Sequence, residues 1–361
     1  MSTDADVVVV GAGPVGLAAA VRAREAGLRV LLVDRRAGAL DGGLDKACGE
    51  GLLPGALRAV HALGVDPPGR ELAGISYRAA GRHADHRFVA GVGRGVRRTT
   101  LHGAMTARAG DAGAEVVHAR VTGLRQDAAG VEVDIVVHGA DQVRTLRAAW
   151  VLGCDGLHST VRRLAGLEPR RRRAGPARYG LRRHFRVAPW SDLVEVYWAS
   201  HAEAYVTPVA DDCVGVALLG AGQALRSAHG FDALLRAELP ELGARLAGAP
   251  AASAVLGAGP LRCRSRRRTA GRVRLVGDAS GYVDALTGEG IRVGLAQADA
   301  VVRHLDDPAA YERVWRAATR DYRALTTGLL AWAASPARGA VVPAAVGAPW
   351  LYGAVVERLA R

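Results

Sequence analysis

Residues 6–10 carry four valines in a row, the pattern of a strand covered on both faces in a parallel sheet. The run stops at Gly11-Ala12-Gly13-Pro14-Val15-Gly16. Residues 17–26 then supply helix formers, and Gly27 closes them as a C-terminal stop. A second apolar run over 28–33 ends at Asp34, so strand, turn, helix and strand fit within about thirty residues, as in a mononucleotide-binding half. Residues 37–56 lose the periodicity, and Asp41-Gly42-Gly43 and Cys48-Gly49-Glu50-Gly51 mark bends in a loop before a short helix at 57–63. Alternation over 75–89 and 179–219 predicts a second sheet. Between these, 101–109 read as a helix, 116–124 and 130–137 as strands, and 150–154 as a strand returning to the first unit. Residues 272–276 are again a buried strand, followed by Gly277-Asp278 and a glycine-rich turn into a helix from about Gly288. Beyond 306 the chain is helical and apolar. Pro336, Arg338, Pro343 and Pro349 break this tail into pieces too short to span a bilayer, which predicts a packed cap and no transmembrane segment.

The pattern predicts an α/β fold: a Rossmann-type domain interleaved with a β-sheet substrate domain, plus C-terminal helices. The expected boundaries are 1–70, 98–168 and 262–305 for the dinucleotide domain, 71–97 and 177–261 for the sheet domain, and 306–361 for the cap. In Gly11-x-Gly13-x-x-Gly16 the first glycine makes the tight turn, the second admits a pyrophosphate, and the third lets helix pack on strand. Asp34, 18 residues past Gly16, is placed to accept hydrogen bonds from ribose hydroxyls. This motif alone does not separate FAD from NAD.

Composition narrows the field. The net charge of +13 raises nucleic acid as a partner, but the arginine runs at 170–173, 182–186 and 264–268 accompany no DNA-binding pattern, so a solvated basic surface is expected. Cys48, Cys154, Cys213 and Cys263 lie far apart, without metal or redox-pair spacing, and no metal is expected. No exported leader is legible, which predicts a cytoplasmic protein. Lys46 is the only lysine beside 47 arginines, which points to a site suited to a compact ammonium.

Three separated motifs carry a family resemblance. Gly11-x-Gly13-x-x-Gly16, Val151-Leu152-Gly153-Cys154-Asp155-Gly156 and Leu275-Val276-Gly277-Asp278-Ala279-Ser280 occur in the order seen in the group A flavoprotein monooxygenase and geranylgeranyl reductase superfamily, which has a para-hydroxybenzoate hydroxylase-like fold. Arg98-x-x-Leu101 is similar to the superfamily arginine that reaches the FAD phosphate and ribose region, and Asp45-Lys46-Ala47-Cys48-Gly49-Glu50-Gly51 resembles its flavin-facing loop. The resemblance implies FAD held by Gly11, Gly13, Pro14, Val15, Gly16, Asp34, Arg35, Lys46, Arg98, Val121, Asp155, Gly277, Asp278, Gly288, Glu289, Gly290 and Ile291, with NAD(P)H as a transient co-substrate. For Asp155 a helix-capping role competes with cofactor contact.

Lys46, Glu50, Glu203 and Tyr205 are the candidate catalytic residues. The last two lie on the stretch that the superfamily places over the flavin ring, where ordinary strand alternation is the competing reading. Cys48 is expected to be a packing residue, and His102, His158, His184 and His201 structural or solvated. The stretch keeps Pro208 but lacks the aromatic-rich reductase and Trp-x-Trp-x-Ile-Pro halogenase patterns, and Ala285 stands where many aromatic hydroxylases have proline. The leading expectation is an FAD-dependent monooxygenase that uses NAD(P)H and oxygen to hydroxylate an apolar aromatic or polyketide-like substrate. The alternatives are a geranylgeranyl-reductase-like flavin reductase of isolated double bonds and a non-catalytic flavin-binding pathway partner.

Overall fold

The computed structural model describes residues 3–36, 43–140, 142–169, 177–222, 225 and 230–361. The arginine run 170–173 and most of the Asp41-Gly42-Gly43 bend lie outside the described residues.

Ala5–Val10 pairs in parallel with Val30–Asp34 on one side and with the end of Val143–Gly153 on the other. Glu115–Gln126 and Val273–Leu275 extend this parallel sheet at its two edges. The far halves of Glu115–Gln126 and Val143–Gly153 peel away and pair antiparallel with Val131–Val137, forming a meander. Helices Pro14–Glu25, Arg98–Asp111 and Gly290–Arg303 cover one face of the parallel sheet, and the meander covers the other. Valines 7–10 are therefore enclosed on both sides, which explains their unbroken apolar run.

The second sheet is mostly antiparallel and contains Arg178–Arg186, Leu193–Trp198, Ala202–Ala210 and Cys213–Ala221, with the hairpin Gly74–Ala79/Arg82–Arg87 at one edge. The C-terminal helices Pro308–Ala333, Val341–Gly347 and Pro349–Ala360 pack on the hairpin side of this sheet.

Local departures from the sequence reading have local causes. The second strand starts at Val30 rather than 28, because Gly27 turns left-handed (φ +80) and Leu28 returns its N–H to Ala23. The helix expected from about Gly288 begins at Gly290, since Gly288 closes a turn onto Ala285 at φ +68. The helix expected at 57–63 begins at Pro54, whose fixed φ suits the first helical turn.

Candidate functional site

A cavity of about 640 Å³ opens at the C-terminal ends of the parallel strands, where open α/β sheets place ligands, and runs on to the second sheet. Gly11, Gly13, Pro14 and Val15, Asp34 and Arg35, Asp155, Gly277 and Asp278, and Gly288, Gly290 and Ile291 all line it. Lys46, Arg98 and Val121 complete the wall. Residues from separate stretches of the sequence thus meet in one continuous cleft.

Two of the expected binding residues stand behind the wall. A Cβ on Gly16 would lie 1.8 Å from Gly11 O, so this glycine serves helix-on-turn packing. Glu289 is buried, and its carboxylate turns to Arg292.

The electrostatics follow from the partners. Asp34 is almost fully buried, which opposes ionisation, but hydrogen bonds from Arg36 and the Ala12 N–H outweigh burial and hold its carboxyl below the usual range. Asp278 shows the reverse: burial raises its carboxyl, Lys46 and Arg98 only partly oppose this, and no described residue hydrogen-bonds the carboxylate. Burial likewise raises Asp155, which accepts hydrogen bonds from Ser159 Oγ at 2.5 Å and Val161 N at 3.1 Å. Asp155 therefore caps the following turn and also lines the cavity.

Glu50 adopts φ +59 although it is not glycine. Its Oε1 accepts the Arg98 N–H at 2.8 Å, and its Oε2 lies 2.6 Å from His184 Nε2. Arg182 donates to His184 Nδ1 at 2.9 Å, and because guanidinium nitrogens only donate, the imidazole proton sits on Nε2 and points at Glu50. Glu50 thereby fastens the loop at 45–51 to both the start of Arg98–Asp111 and the second sheet. Cys48 lines the cavity, and its Sγ accepts the Glu50 N–H at 3.4 Å. Burial and the Ala12 carbonyl account for His102, and Glu238 accounts for His201.

Tyr205 faces the cavity, but its hydroxyl donates to Leu286 O at 2.6 Å. Glu203 does not reach the cavity. It is fully buried between Arg178 (2.6 Å) and Arg338 (2.7 Å), and Arg178 continues to Asp284 at 3.1 Å. Strand alternation puts Glu203 and Tyr205, two apart, on the same face, so the difference comes from partners: Arg178 and Arg338 enclose the carboxylate, while the Tyr205 ring reaches the cavity wall. Sequence reasoning missed Arg36, Arg178 and Asp284, and named His184 only as a structural or solvated residue without its partner Glu50, because these partners lie far away in the chain or carry no motif.

The wall fits a dinucleotide. The nearest atom to a Cβ on Gly13 would be Arg98 Nη2, 4.0 Å across the cleft, and Arg98 Nε is buried without a hydrogen-bond partner. An orphaned guanidinium nitrogen opposite a bare glycine suits an anionic pyrophosphate.

Comparison with known proteins agrees. Residues 4–310 match the family described as FAD binding domain. The chain is 34% identical to digeranylgeranylglycerophospholipid reductase 1 of Methanopyrus kandleri, covering 80% of this chain and 77% of that protein. It is 32% identical to menaquinone reductase of Mycolicibacterium smegmatis, covering 82% and 75%. The solved myxobacterial chondrochloren halogenase superposes with a TM-score of 0.80 at 18% identity, covering 99% of this chain and 91% of that one, which shows a shared fold. The chain belongs to the FAD-binding family and is an FAD-dependent oxidoreductase of the monooxygenase and reductase type.

Proposed function

We propose that the protein reduces an isolated carbon–carbon double bond in an apolar substrate, using FAD recharged by NAD(P)H. The observation that carries this reading is how the substrate end of the cavity spends its polar groups. Ile75, Val194, Val196, Leu219, Leu261, Leu286 and Leu359 line it beside Tyr77 and Tyr282, and two of the hydroxyls there face the protein: Tyr205 donates to Leu286 O and Thr207 to Gly49 O at 2.7 Å. A wall this rich in aliphatic side chains suits a hydrocarbon better than a phenol that needs a polar anchor.

FAD, when bound, supplies the two-electron redox chemistry. The protein's own residues hold and screen it. Arg98 and the glycine turn would hold the pyrophosphate, Asp34 the ribose, Asp278 the hydroxyl-bearing chain, and the first turn of Gly290–Arg303 would present free N–H groups to the flavin. Asp155 and Gly277 complete the cofactor wall, and the apolar side chains exclude water from the reacting bond.

Hydroxylation is the second reading. A specific similarity favours it: a 35% identical match to the 12-dehydrotetracycline 5-monooxygenase/anhydrotetracycline 6-monooxygenase of Streptomyces rimosus. That match covers 45% of this chain, whereas the two reductases extend over four-fifths of it, substrate sheet included. Mass spectrometry of products from prenylated and polycyclic substrates, with and without oxygen, separates the two. Gain of two hydrogens without oxygen supports reduction, and oxygen-dependent gain of one oxygen atom overturns it in favour of hydroxylation.

A further inference from the structure

Between Arg323 and Glu357 the chain runs 33 residues with one charged side chain, Arg338, although 23% of all residues are charged. Arg338 does not face outward. Its Nη2 lies 2.7 Å from Glu203 Oε1, its Nη1 and Nη2 also donate to Ala333 O and Ala202 O, and its side chain is 12% exposed. The outward face of residues 324–356 is therefore uncharged.

The largest exposed side chains gather there. Trp350 is 76% exposed, with Leu351 and Val346 beside it on the last two helices. Val89 and Val92 are exposed on the adjoining loop, which the Val89 N–H fastens to Glu357 Oε1 at 2.9 Å. These are five of the seven large hydrophobic side chains exposed among the described residues.

Arginine marks the edges. In Pro308–Ala333 the exposed Thr327 and Ala331 follow Arg323 at helical spacing, and in Pro349–Ala360 the stripe of Trp350 and Ala354 runs into Arg358, paired with Asp321 at 2.5 Å, and then Arg361. An apolar face with one tryptophan and a cationic margin matches the polarity profile of a lipid interface. The same margin disfavours a second copy of the chain, because a two-fold contact would set one net-cationic rim against another.

We infer that this face of the cap is a docking surface for an anionic lipid bilayer. Trp350 and Leu351 enter the acyl boundary, and at headgroup level Arg323, Arg358 and Arg361 outnumber Asp321, the carboxylate paired with Arg358. The cap lies on the membrane: no single described helix is long and apolar enough to cross it, and Pro308–Ala333 and Pro336–Gly347, which together have the length and composition, meet at 105°. The last helix also touches the cavity through Leu359, and its Tyr352 hydroxyl donates to Ile75 O at 3.0 Å. The bilayer would thus be a reservoir for the apolar substrate, a consequence that rests on the proposed function, whereas docking itself does not.

The test is flotation of the full-length FAD-loaded protein with phosphatidylcholine vesicles, with and without phosphatidylglycerol. Co-flotation is expected with the anionic vesicles and should weaken in high salt. Replacing the exposed pair together, Trp350→Ser with Leu351→Ser, should lower the bound fraction about tenfold while flavin content and unfolding midpoint stay unchanged. No flotation, or equal flotation of the double variant, overturns the inference. So does a concentration-dependent dimer of the wild type that the double variant abolishes without any vesicle binding, since the face then belongs to a second copy. Because flotation is read without substrate, vesicle binding combined with failure on every apolar substrate supports docking and defeats the substrate reading alone.

Discussion

Gly11 shows how little freedom a single position in the nucleotide turn has. Its φ is +105, and a Cβ there would lie 2.6 Å from Cys154 O, so both backbone strain and collision oppose any side chain. Gly11→Ala is expected to cost about 3 kcal/mol or more and to yield protein without flavin, read from the urea midpoint and the visible spectrum. Asp278 presents the opposite case, a side chain whose burial works against stability. Its carboxyl is raised by burial, so the folded chain holds the proton more tightly than the unfolded chain, and ionisation at neutral pH opposes folding. The sign follows: the FAD-free protein should gain stability as pH falls from neutral through the raised value, with no further gain below the ordinary carboxylate range. Asp278→Asn should raise the melting temperature of the FAD-free protein at neutral pH, remove that part of the pH dependence, and weaken FAD binding. An unchanged pH profile would refute this account.

At the scale of elements, the second sheet, the cap and the segment leading to Gly290–Arg303 are held together by buried charge. Glu203 comes from the sheet, Arg338 from the turn Pro336–Ala340, and Arg178 carries the network to Asp284. Asp284 Oδ1 accepts the Leu286 N–H at 3.1 Å while Tyr205 holds Leu286 O, so both sides of that cavity-lining residue are fixed. Thr287 and Thr326 join the same segment to the long cap helix through a hydroxyl pair at 2.8 Å. Removing one partner of such a cluster leaves unpaired charge in a dry interior. Glu203→Gln is therefore expected to destabilise by about 3–5 kcal/mol, measured by chemical denaturation. Tyr205→Phe should cost about 1 kcal/mol, with its larger effect on KM for substrate as the Leu286 wall loosens. Equal loss in KM for substrate and affinity for FAD would show that the wall does not act on the substrate end.

At the scale of the molecule, the cavity is built from every part of the chain, from Val10 near the start to Leu359 near the end. A ligand that fills it binds the folded chain alone and must stabilise the whole. FAD at one hundred times its Kd should add about 2.7 kcal/mol, seen as a rise in melting temperature that grows with FAD concentration. A concentration-independent melting temperature would mean that flavin does not occupy this cleft.

Much of this architecture was legible from local rules. Four consecutive valines suit a strand covered on both faces, Gly27 favours a helix stop, and Gly11-x-Gly13-x-x-Gly16 before a helix builds a phosphate turn, because those preferences act within a few residues. The order of the later motifs likewise pointed to FAD. Side-chain direction and partnership were not legible, because they depend on which distant strands become neighbours. Glu203 and Tyr205 occupy one strand, yet only the fold decides that arginines from two other segments enclose the first while the second reaches the cavity wall. Glu50 is similar: its loop reads as glycine-rich and open, and only the tertiary structure brings His184 and the Arg98 N–H to the two carboxylate oxygens. Sequence determined where the backbone must turn and which stretches must be buried. Tertiary structure decided which charges meet, because burial makes a carboxylate depend on partners that no local pattern specifies.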